Sequence, residues 1–375
     1  MANEKIRKEP PWWVSRKSEL ISVASQITPV IVYDDESFNE VFFDLLCLEG
    51  VHVLLYSVRS NDHWRVLEKI LKLGGLLKCS SMAELERLQD QNPPVTPAEL
   101  VIESRCFPLK SLNQLAPRVK AILAPVTQYA EFRKPDVMAF LSFDFSVERR
   151  GLTEIEWAKS KLLKAAQILG AHAAELKGVH IWTDKEISTL SSYAVELIAS
   201  TKKLFPGVRN VVLGKGLAIA RDKISGQLDI QHTRERYGTL ATEFPEMRFW
   251  MDPEHLAIEH AGGLLTKVQD VHVTTEGMVM EISLPAAFFC SIGKGQTCMS
   301  IHDLSADKAL RADMVLCNRY MSPRDRAFLR IKGRVEKGNL IFITGLGALG
   351  MGLDMTSLGL HIHYLCARRM CAVKL

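Results

Sequence analysis

The sequence predicts an α/β fold in which a (β/α)8 barrel is followed by a smaller, reduced β domain. Short β-branched runs, such as Val30-Ile31-Val32 and Val211-Val212-Leu213, alternate with longer helical stretches over residues 152–170 and 187–204. This alternation is typical of a mostly parallel sheet covered by helices. The chain has 375 residues, of which 47% are hydrophobic, and this length suits a barrel with a second domain and a large core.

The pattern changes near residue 268. Beyond it, short β-rich runs such as Val271-His272-Val273 and Leu340-Ile341-Phe342-Ile343 are separated by glycines and turns. Runs of this kind are typical of an all-β domain. We therefore expect an N-terminal extension over 1–27 that packs on the C-terminal domain, a barrel over 28–267 and a reduced β domain over 268–375.

Composition narrows the class of protein. No stretch reaches the roughly 18 uninterrupted apolar residues of a membrane span, and the first residues lack a signal-peptide core. We therefore expect a cytoplasmic protein with no membrane partner. Eight cysteines without repeated close spacing predict reduced thiols. A net charge of +4 without a basic, aromatic-rich cluster argues against a nucleic-acid partner.

One segment resembles the catalytic strand of a known family. Tyr56-Ser57-Val58-Arg59-Ser60-Asn61 is similar to the Tyr-Ala-Val-Lys-Ala-Asn strand of fold-type III pyridoxal-phosphate enzymes, the alanine racemase and amino-acid decarboxylase group. In that family the lysine carries the cofactor as a Schiff base, and here Arg59 stands in its place. A guanidinium, with a pKa above about 12 and no free amine lone pair, cannot condense with an aldehyde.

Further motifs extend the resemblance along the chain, and it is greatest to diaminopimelate decarboxylases, especially those fused behind an aspartate kinase. Thr28-Pro29-Val30-Ile31-Val32-Tyr33-Asp34 resembles the opening strand, and Cys79-Ser80-Ser81-Met82-Ala83-Glu84-Leu85 resembles a Cys-Val-Ser-x-Gly-Glu-Leu turn into a helix. Phe249-Trp250-Met251-Asp252-Pro253-Glu254-His255 resembles Leu-Trp-Met-Glu-Pro-Gly-Arg. The resemblance implies an alanine racemase-like barrel with a β domain, and a homodimer.

The same alignment implies that the cofactor site is vestigial. The Gly-Gly-Gly phosphate turn of the family corresponds to Gly214-Lys215-Gly216, and His255 replaces a phosphate-binding arginine. Asp252 replaces the longer acid that pairs with the pyridine nitrogen. In the His-x-His-x-Gly-Ser segment His180 is retained, but Trp182 takes the position of the second histidine and would fill an open site. The resemblance therefore implies that pyridoxal phosphate is not bound covalently, and we expect no cofactor.

Lys78 allows two interpretations. It stands where the family usually has an acidic residue beside the catalytic lysine, so a migrated lysine could form the Schiff base from a neighbouring strand. Alternatively, it fills the emptied pocket or pairs with Asp144 or Glu103. We favour the second interpretation, because the phosphate-binding residues of the family are missing as well.

Two thiol constellations lie in the second domain. The segment around Cys298 resembles a Gly-Pro-Thr-Cys motif whose cysteine reaches into the partner's active site across a head-to-tail dimer. As a nucleophile Cys298 would need a base, for which His302 is the neighbour in sequence. The other constellation consists of His361, His363, Cys366 and Cys371. It could suit zinc if the chain folds back, but its spacing fits no standard zinc module. We therefore predict no metal site.

These observations favour a catalytically inactive, decarboxylase-like pseudoenzyme that lacks pyridoxal phosphate. It would act as a regulatory, scaffolding or ligand-binding protein, through dimer surfaces or through the old barrel pocket. The expected partners are a second copy or a related active protein, with an amino acid or peptide as a ligand. The alternative is an enzyme of pyridoxal-independent mechanism that reuses the cavity, with Cys298, His180, Lys78 or Lys215 as reactive groups.

Overall fold

The computed structural model describes residues 11–90, 95–132, 137–146, 151–183, 190–220, 228–274, 277–282, 301–305, 308–309, 313–317, 327–330, 335–346, 348 and 361–365. The described chain forms two compact units. The described residues of 40–257 form one of them, and residues 11–39 together with the described residues from Ile258 onward form the other.

The unit 40–257 is a closed barrel of eight parallel strands. These strands are β2 Val51–Ser57, β3 Leu76–Cys79, β4 Leu100–Glu103, β5 Ala121–Ala124, β6 Ala139–Asp144, β7 Gly178–Thr183, β8 Asn210–Lys215 and β9 Arg248–Asp252. Strand β2 pairs with β9, which closes the barrel. The predicted barrel is confirmed. Apolar side chains from six of the strands fill its interior: Leu55, Val101, Ala121, Leu123, Phe140, Val212 and Trp250.

Helices separate the barrel strands, as the alternation in the sequence predicts. They are α4 Trp64–Lys72, α5 Met82–Gln89, α6 Leu109–Leu115, α7 Val126–Tyr129, α8 Glu154–Leu169, α9 Leu190–Leu204 and α10 Ile230–Glu243. Side-chain caps fix several starts: Thr153 and Glu156 form a capping box at α8, and Asp229 accepts a hydrogen bond from the His232 N–H at α10. The expected helices over 152–170 and 187–204 correspond to α8 and α9.

The second unit contains a mostly antiparallel sheet. Its strands are β1 Val30–Asp34, β10 Gly262–Thr274, β11 Gly277–Ile282, β12 Ile301–Asp303, β13 Lys308–Ala309, β14 Asp313–Cys317, β15 Ala327–Arg330, β16 Leu340–Thr344 and β17 His361–Leu365. Strand β10 is central and pairs with β1, β11 and β16. Two pairings are parallel, β1 with β17 and β11 with β14. The expected β domain is therefore present.

The N-terminal segment belongs to this second unit. Helices α1 Trp12–Ser15 and α2 Lys17–Gln26 precede β1, and α3 Asp35–Leu46 follows it, with its residues from Glu40 onward counted in the barrel unit. Trp12 and Trp13 pack in one hydrophobic cluster with Phe342, and the indole N–H of Trp12 donates to the carbonyl of His260 at 2.9 Å. Since β1 pairs with β10 and β17, residues 28–39 group with this unit, which differs from the boundary at 28 drawn from the sequence. Across the described residues, every helix is too short or too polar to cross a membrane.

Gly178 provides a test of barrel packing. A Cβ at this position would lie 2.3 Å from the Phe140 ring, which belongs to the barrel interior. We predict that Gly178→Ala lowers the free energy of unfolding by about 1–3 kcal/mol. Gly238→Ala in α10, where an added Cβ meets no neighbour, should instead raise it by about 0.5–1 kcal/mol. Urea unfolding followed by circular dichroism measures both changes; equal midpoints for the two variants would contradict this packing.

Candidate functional site

A cavity of about 180 Å³ opens at the carboxyl ends of the barrel strands. In barrels of this kind, this face carries the residues that bind and react, because the loops after the strands converge there. The lining is almost entirely polar or charged, and consists of Arg59, Glu103, Arg105, Ser142, Asp144, His180, Trp182 and Glu254.

Arg59 lies in the short 3-10 helix Val58–Ser60 that follows β2. Its Nη2 donates a hydrogen bond to Oε1 of Glu254 at 2.6 Å. Burial disfavours the guanidinium charge, but the carboxylates of Glu254, Glu103 and Asp252 outweigh burial and raise the pKa of Arg59 above its ordinary value. Arg59, which the sequence resemblance aligns with a catalytic lysine, is therefore a permanent cation with a carboxylate partner.

Lys78, in β3, is fully buried. Its Nζ donates to Oδ2 of Asp252 and lies 3.4 Å from Oε1 of Glu254. Burial favours the neutral amine, but the two carboxylates dominate and raise the pKa of Lys78 above its ordinary value. The expected pairing with Asp144 or Glu103 is wrong, because Asp252 and Glu254 are the partners. Lys78 stays protonated at neutral pH, so its nitrogen has no lone pair for a Schiff base.

Glu254 connects the cations, although the sequence analysis did not select it. Oε1 accepts hydrogen bonds from Arg59, from Lys78 and from the indole N–H of Trp182, the last at 3.0 Å. Burial alone would raise the pKa of Glu254. The charges of Lys78 and Arg59 have the larger effect and lower the pKa from its ordinary value to about 2. The residue has a φ of 51°, a left-handed conformation that costs a non-glycine residue on the order of 1–3 kcal/mol. Surrounding contacts hold it there.

His180 in β7 is almost completely buried and lines the cavity. Its Nδ1 lies 2.9 Å from the hydroxyl of Ser142. Its Nε2 has no hydrogen-bond partner in the described part of the chain, and lies 3.8 Å from Oδ2 of Asp252. Burial, together with the nearby Lys78 charge, lowers the pKa of His180 to about 3. His180 is therefore neutral at physiological pH.

The turn Gly214-Lys215-Gly216 ends β8 and makes a poor phosphate cradle. The backbone N–H of Gly216 donates to the carbonyl of Thr183, and the next N–H donates to the carbonyl of Gly214. The ring of Trp182 lies against Gly214, where a Cβ would come within 2.5 Å of Cδ1. Since a phosphate needs several free N–H groups at close range, this turn does not provide the cradle that pyridoxal phosphate requires.

The residues of the site therefore do not fit the cofactor that the fold family implies. Arg59, which the sequence resemblance aligns with the Schiff-base lysine, is a guanidinium in the 3-10 helix after β2, and the buried amine of Lys78 is held protonated by two carboxylates. The backbone N–H groups of the phosphate turn bond to protein carbonyls. Oδ2 of Asp252 accepts a hydrogen bond from Lys78, while Oδ1 has no hydrogen-bond partner among the described residues.

Two acids and an arginine complete the cavity. Burial disfavours the Glu103 charge, but Lys78 dominates and lowers the pKa of Glu103. Burial likewise opposes the Asp144 charge, and hydrogen bonds from Ser146 lower its pKa. Arg105 stands between them, with nitrogens 3.9 Å from Glu103 Oε1 and 3.6 Å from Asp144 Oδ2. Both carboxyls are ionised, and neither contact to Arg105 is short enough for a hydrogen bond.

The remaining predicted residues lie elsewhere or outside the description. His255 lies in the 3-10 helix Glu254–Ala257, where its charge contributes to the low pKa of Glu254. His302 lies in β12, with its ring 5.5 Å from that of Trp13. Strand β17 includes His361 and His363, whose side chains fall outside the described residues, as do Cys298, Cys366 and Cys371. Within the residues that are described, no cluster of three His, Cys, Asp or Glu could hold a metal ion.

Comparisons with known proteins show the fold. No model of a known protein family matches the sequence, and no curated protein matches it. The arginine decarboxylase of Paramecium bursaria Chlorella virus, solved with agmatine, has a TM-score of 0.69 at 13% identity, and the match covers 94% of this chain and 100% of that one.

Two further solved structures are similar. The lysine/ornithine decarboxylase of Vibrio vulnificus, complexed with cadaverine, gives a TM-score of 0.71 at 11% identity, over 95% of this chain and 98% of that one. A variant of Helicobacter pylori diaminopimelate decarboxylase, complexed with L-lysine, gives 0.68 at 13% identity, over 92% and 94%. The predicted alanine racemase-like decarboxylase fold is thereby confirmed.

Removing the buried ammonium should be costly. We predict that Lys78→Met lowers the free energy of unfolding by about 3–5 kcal/mol, because it leaves Asp252 buried without its cation and Glu254 with Arg59 alone. Lys72→Met removes an exposed pair with Glu68 and should change stability by less than about 1 kcal/mol. Equilibrium denaturation measures the free energy of unfolding of both variants. Similar small decreases in the two would show that the buried network contributes little to stability.

The low pKa of Glu254 predicts an acid-dependent stability. Because its pKa falls from 4.5 to about 2 on folding, the stabilisation is complete above the unfolded value and is lost as the pH falls from 4.5 to 2. The loss is on the order of 3 kcal/mol. Glu254→Gln should flatten the dependence of unfolding free energy on pH in this range. Glu243→Gln, at an exposed position, should keep the wild-type profile, and identical slopes for the two variants would refute the assignment.

Proposed function

We propose that this chain is a decarboxylase-like pseudoenzyme that forms no Schiff base with pyridoxal phosphate and acts as a binding protein. The observation that carries this proposal is the Arg59–Glu254–Lys78 network at the mouth of the barrel. The guanidinium has no amine nucleophile, and the one buried lysine in the network is kept charged by carboxylates. The similar fold of solved decarboxylases supports descent from such enzymes, but a shared fold does not by itself imply a shared reaction.

The proposed role is regulatory, scaffolding or ligand-binding. A chain that keeps the decarboxylase fold keeps the surfaces with which such a fold can pair, either with a second copy or with a related active protein. The barrel mouth also stays concave and charged, and this favours a ligand-binding role over a scaffold with a closed pocket. We place the protein in the cytoplasm, with no nucleic-acid or membrane partner.

A pyridoxal-independent enzyme remains the second candidate, because Ser142 and His180 lie at hydrogen-bond distance in the cavity. A hydroxyl beside a histidine, with Asp252 near the other ring nitrogen, has the residue types of a nucleophile, its base and an orienting acid. The pKa of His180 argues against this function: at about 3, the imidazole is a weak base for a hydroxyl at neutral pH.

The absence of a Schiff base can be tested directly. Purified protein incubated with pyridoxal phosphate should show no visible Schiff-base band, and borohydride should leave no lysine labelled in a mass map. Lys78→Met is the matched control, since any adduct on Lys78 would disappear in it. A borohydride-stable adduct on Lys78 in the wild-type protein would overturn the proposal and restore cofactor chemistry.

A further inference from the structure

Arg236 is a buried cation that takes no part in the site at the barrel mouth. It lies in α10, is only 2% exposed, and is not among the residues that line the cavity. Arginine is almost never buried to this degree unless an opposite charge accompanies it. Among the described residues, no carboxylate is close enough to Arg236 to shift its pKa. The guanidinium is therefore a buried charge without a counter-charge from the described chain.

The guanidinium of Arg236 uses only one of its nitrogens as a donor to the described residues. Nη1 donates to the carbonyls of Gly216 at 3.4 Å and of Leu217 at 2.8 Å, in the turn that follows β8. Nε is buried and has no hydrogen-bond partner in this part of the chain. Because a guanidinium has five N–H donors, these two bonds leave the edge formed by Nε and Nη2 free to bind an acceptor.

The two carbonyls satisfy hydrogen bonds of Arg236 but do not neutralise its charge. Burial accordingly lowers the pKa of Arg236 below its ordinary value, although a guanidinium stays protonated in a protein. A buried charge without a counter-charge is strongly destabilising, and a buried N–H without a partner indicates an ordered water or an ion beside it. A water molecule would accept the N–H groups and leave the charge in place, whereas an anion removes both costs.

The surroundings of Arg236 narrow the class of anion. The hydroxyl of Tyr237, the next residue of α10, is also buried without a hydrogen-bond partner among the described residues, and the two side chains are close enough to affect each other's pKa. One guanidinium edge and one hydroxyl are too few donors for a phosphate, whose oxygens each need several. They suit a small anion with a single negative charge, which also fits an exposure of 2%.

We propose that Arg236 binds a small monovalent anion, of the size of chloride, at the free edge of its guanidinium. The bound anion neutralises the buried charge and accepts the unused N–H groups. It also stabilises the contact of α10 with the turn after β8, because Nη1 of the same guanidinium holds two carbonyls of that turn. The inference goes beyond the proposed function, since neither Arg236 nor Tyr237 lines the cavity at the barrel mouth.

Thermal unfolding of the full chain tests the proposal, in mixtures of sodium chloride and sodium gluconate at constant total concentration. Gluconate carries the same charge as chloride but is too large for a buried site. We expect the unfolding midpoint to rise by about 2–4 °C as chloride replaces gluconate, because chloride binds the folded state. An unchanged midpoint would overturn the proposal. A larger rise with sodium phosphate than with chloride, at equal ionic strength, would refute the monovalent class.

Two further measurements assign the site to Arg236. Arg236→Met should remove the dependence of the midpoint on chloride, while Arg234→Met, at an exposed position of the same helix, should keep it; an equal dependence in the two variants would refute the assignment. Bromide diffraction from crystals of the wild-type protein does not depend on the folding of a variant. We expect an anomalous peak at hydrogen-bond distance from Nε of Arg236, and crystals that hold bromide elsewhere but not there would refute the site.

Discussion

The arrangement of the barrel mouth depends on the ion pairs that the Lys78 ammonium makes with carboxylates. Transfer of an ammonium charge from water to a buried site costs several kcal/mol, so the charge is stable there only where opposite charges surround it. Asp252 comes from the end of β9 and Glu254 from the residues that follow. Two unit charges at about 4 Å interact with roughly 4 kcal/mol at an effective dielectric of 20. The ammonium therefore holds β3, β9 and the segment after β9 in one arrangement.

The same arrangement determines which chemistry is possible. Carboxylates that stabilise the Lys78 charge also deprive its nitrogen of nucleophilicity, because an amine reacts only when it is unprotonated. Glu254 binds Arg59 and Trp182 with the same oxygen, Oε1, that faces Lys78. The pairing fixes Trp182 against Gly214, where the backbone would otherwise approach a ligand. The stability of this network and the poor fit of its residues to pyridoxal phosphate thus have one physical cause.

Sequence reasoning reached the fold more completely than the site. The period and spacing of apolar runs identify β8, α8 and α9. Side chains on one face recur every second residue in a strand and about every 3.6 residues in a helix. Arg59, His180 and Asp252 could be placed at the strand ends by resemblance alone. The partners of Lys78 could not, since which carboxylate reaches a buried amine depends on barrel closure and on the positive φ of Glu254. No sequence pattern predicts that a glutamate adopts a left-handed backbone conformation.

The charged character of the cavity argues that it has a use. Replacing buried ion pairs by apolar residues of similar volume is often neutral or stabilising, so a barrel selected for stability alone could fill its mouth with hydrophobic side chains. This barrel instead keeps seven charged side chains at the mouth, namely Arg59, Lys78, Glu103, Arg105, Asp144, Asp252 and Glu254. Two non-glycine residues there, Lys215 and Glu254, keep strained backbone conformations. Strain and unused donors together are typical of a surface organised for a ligand.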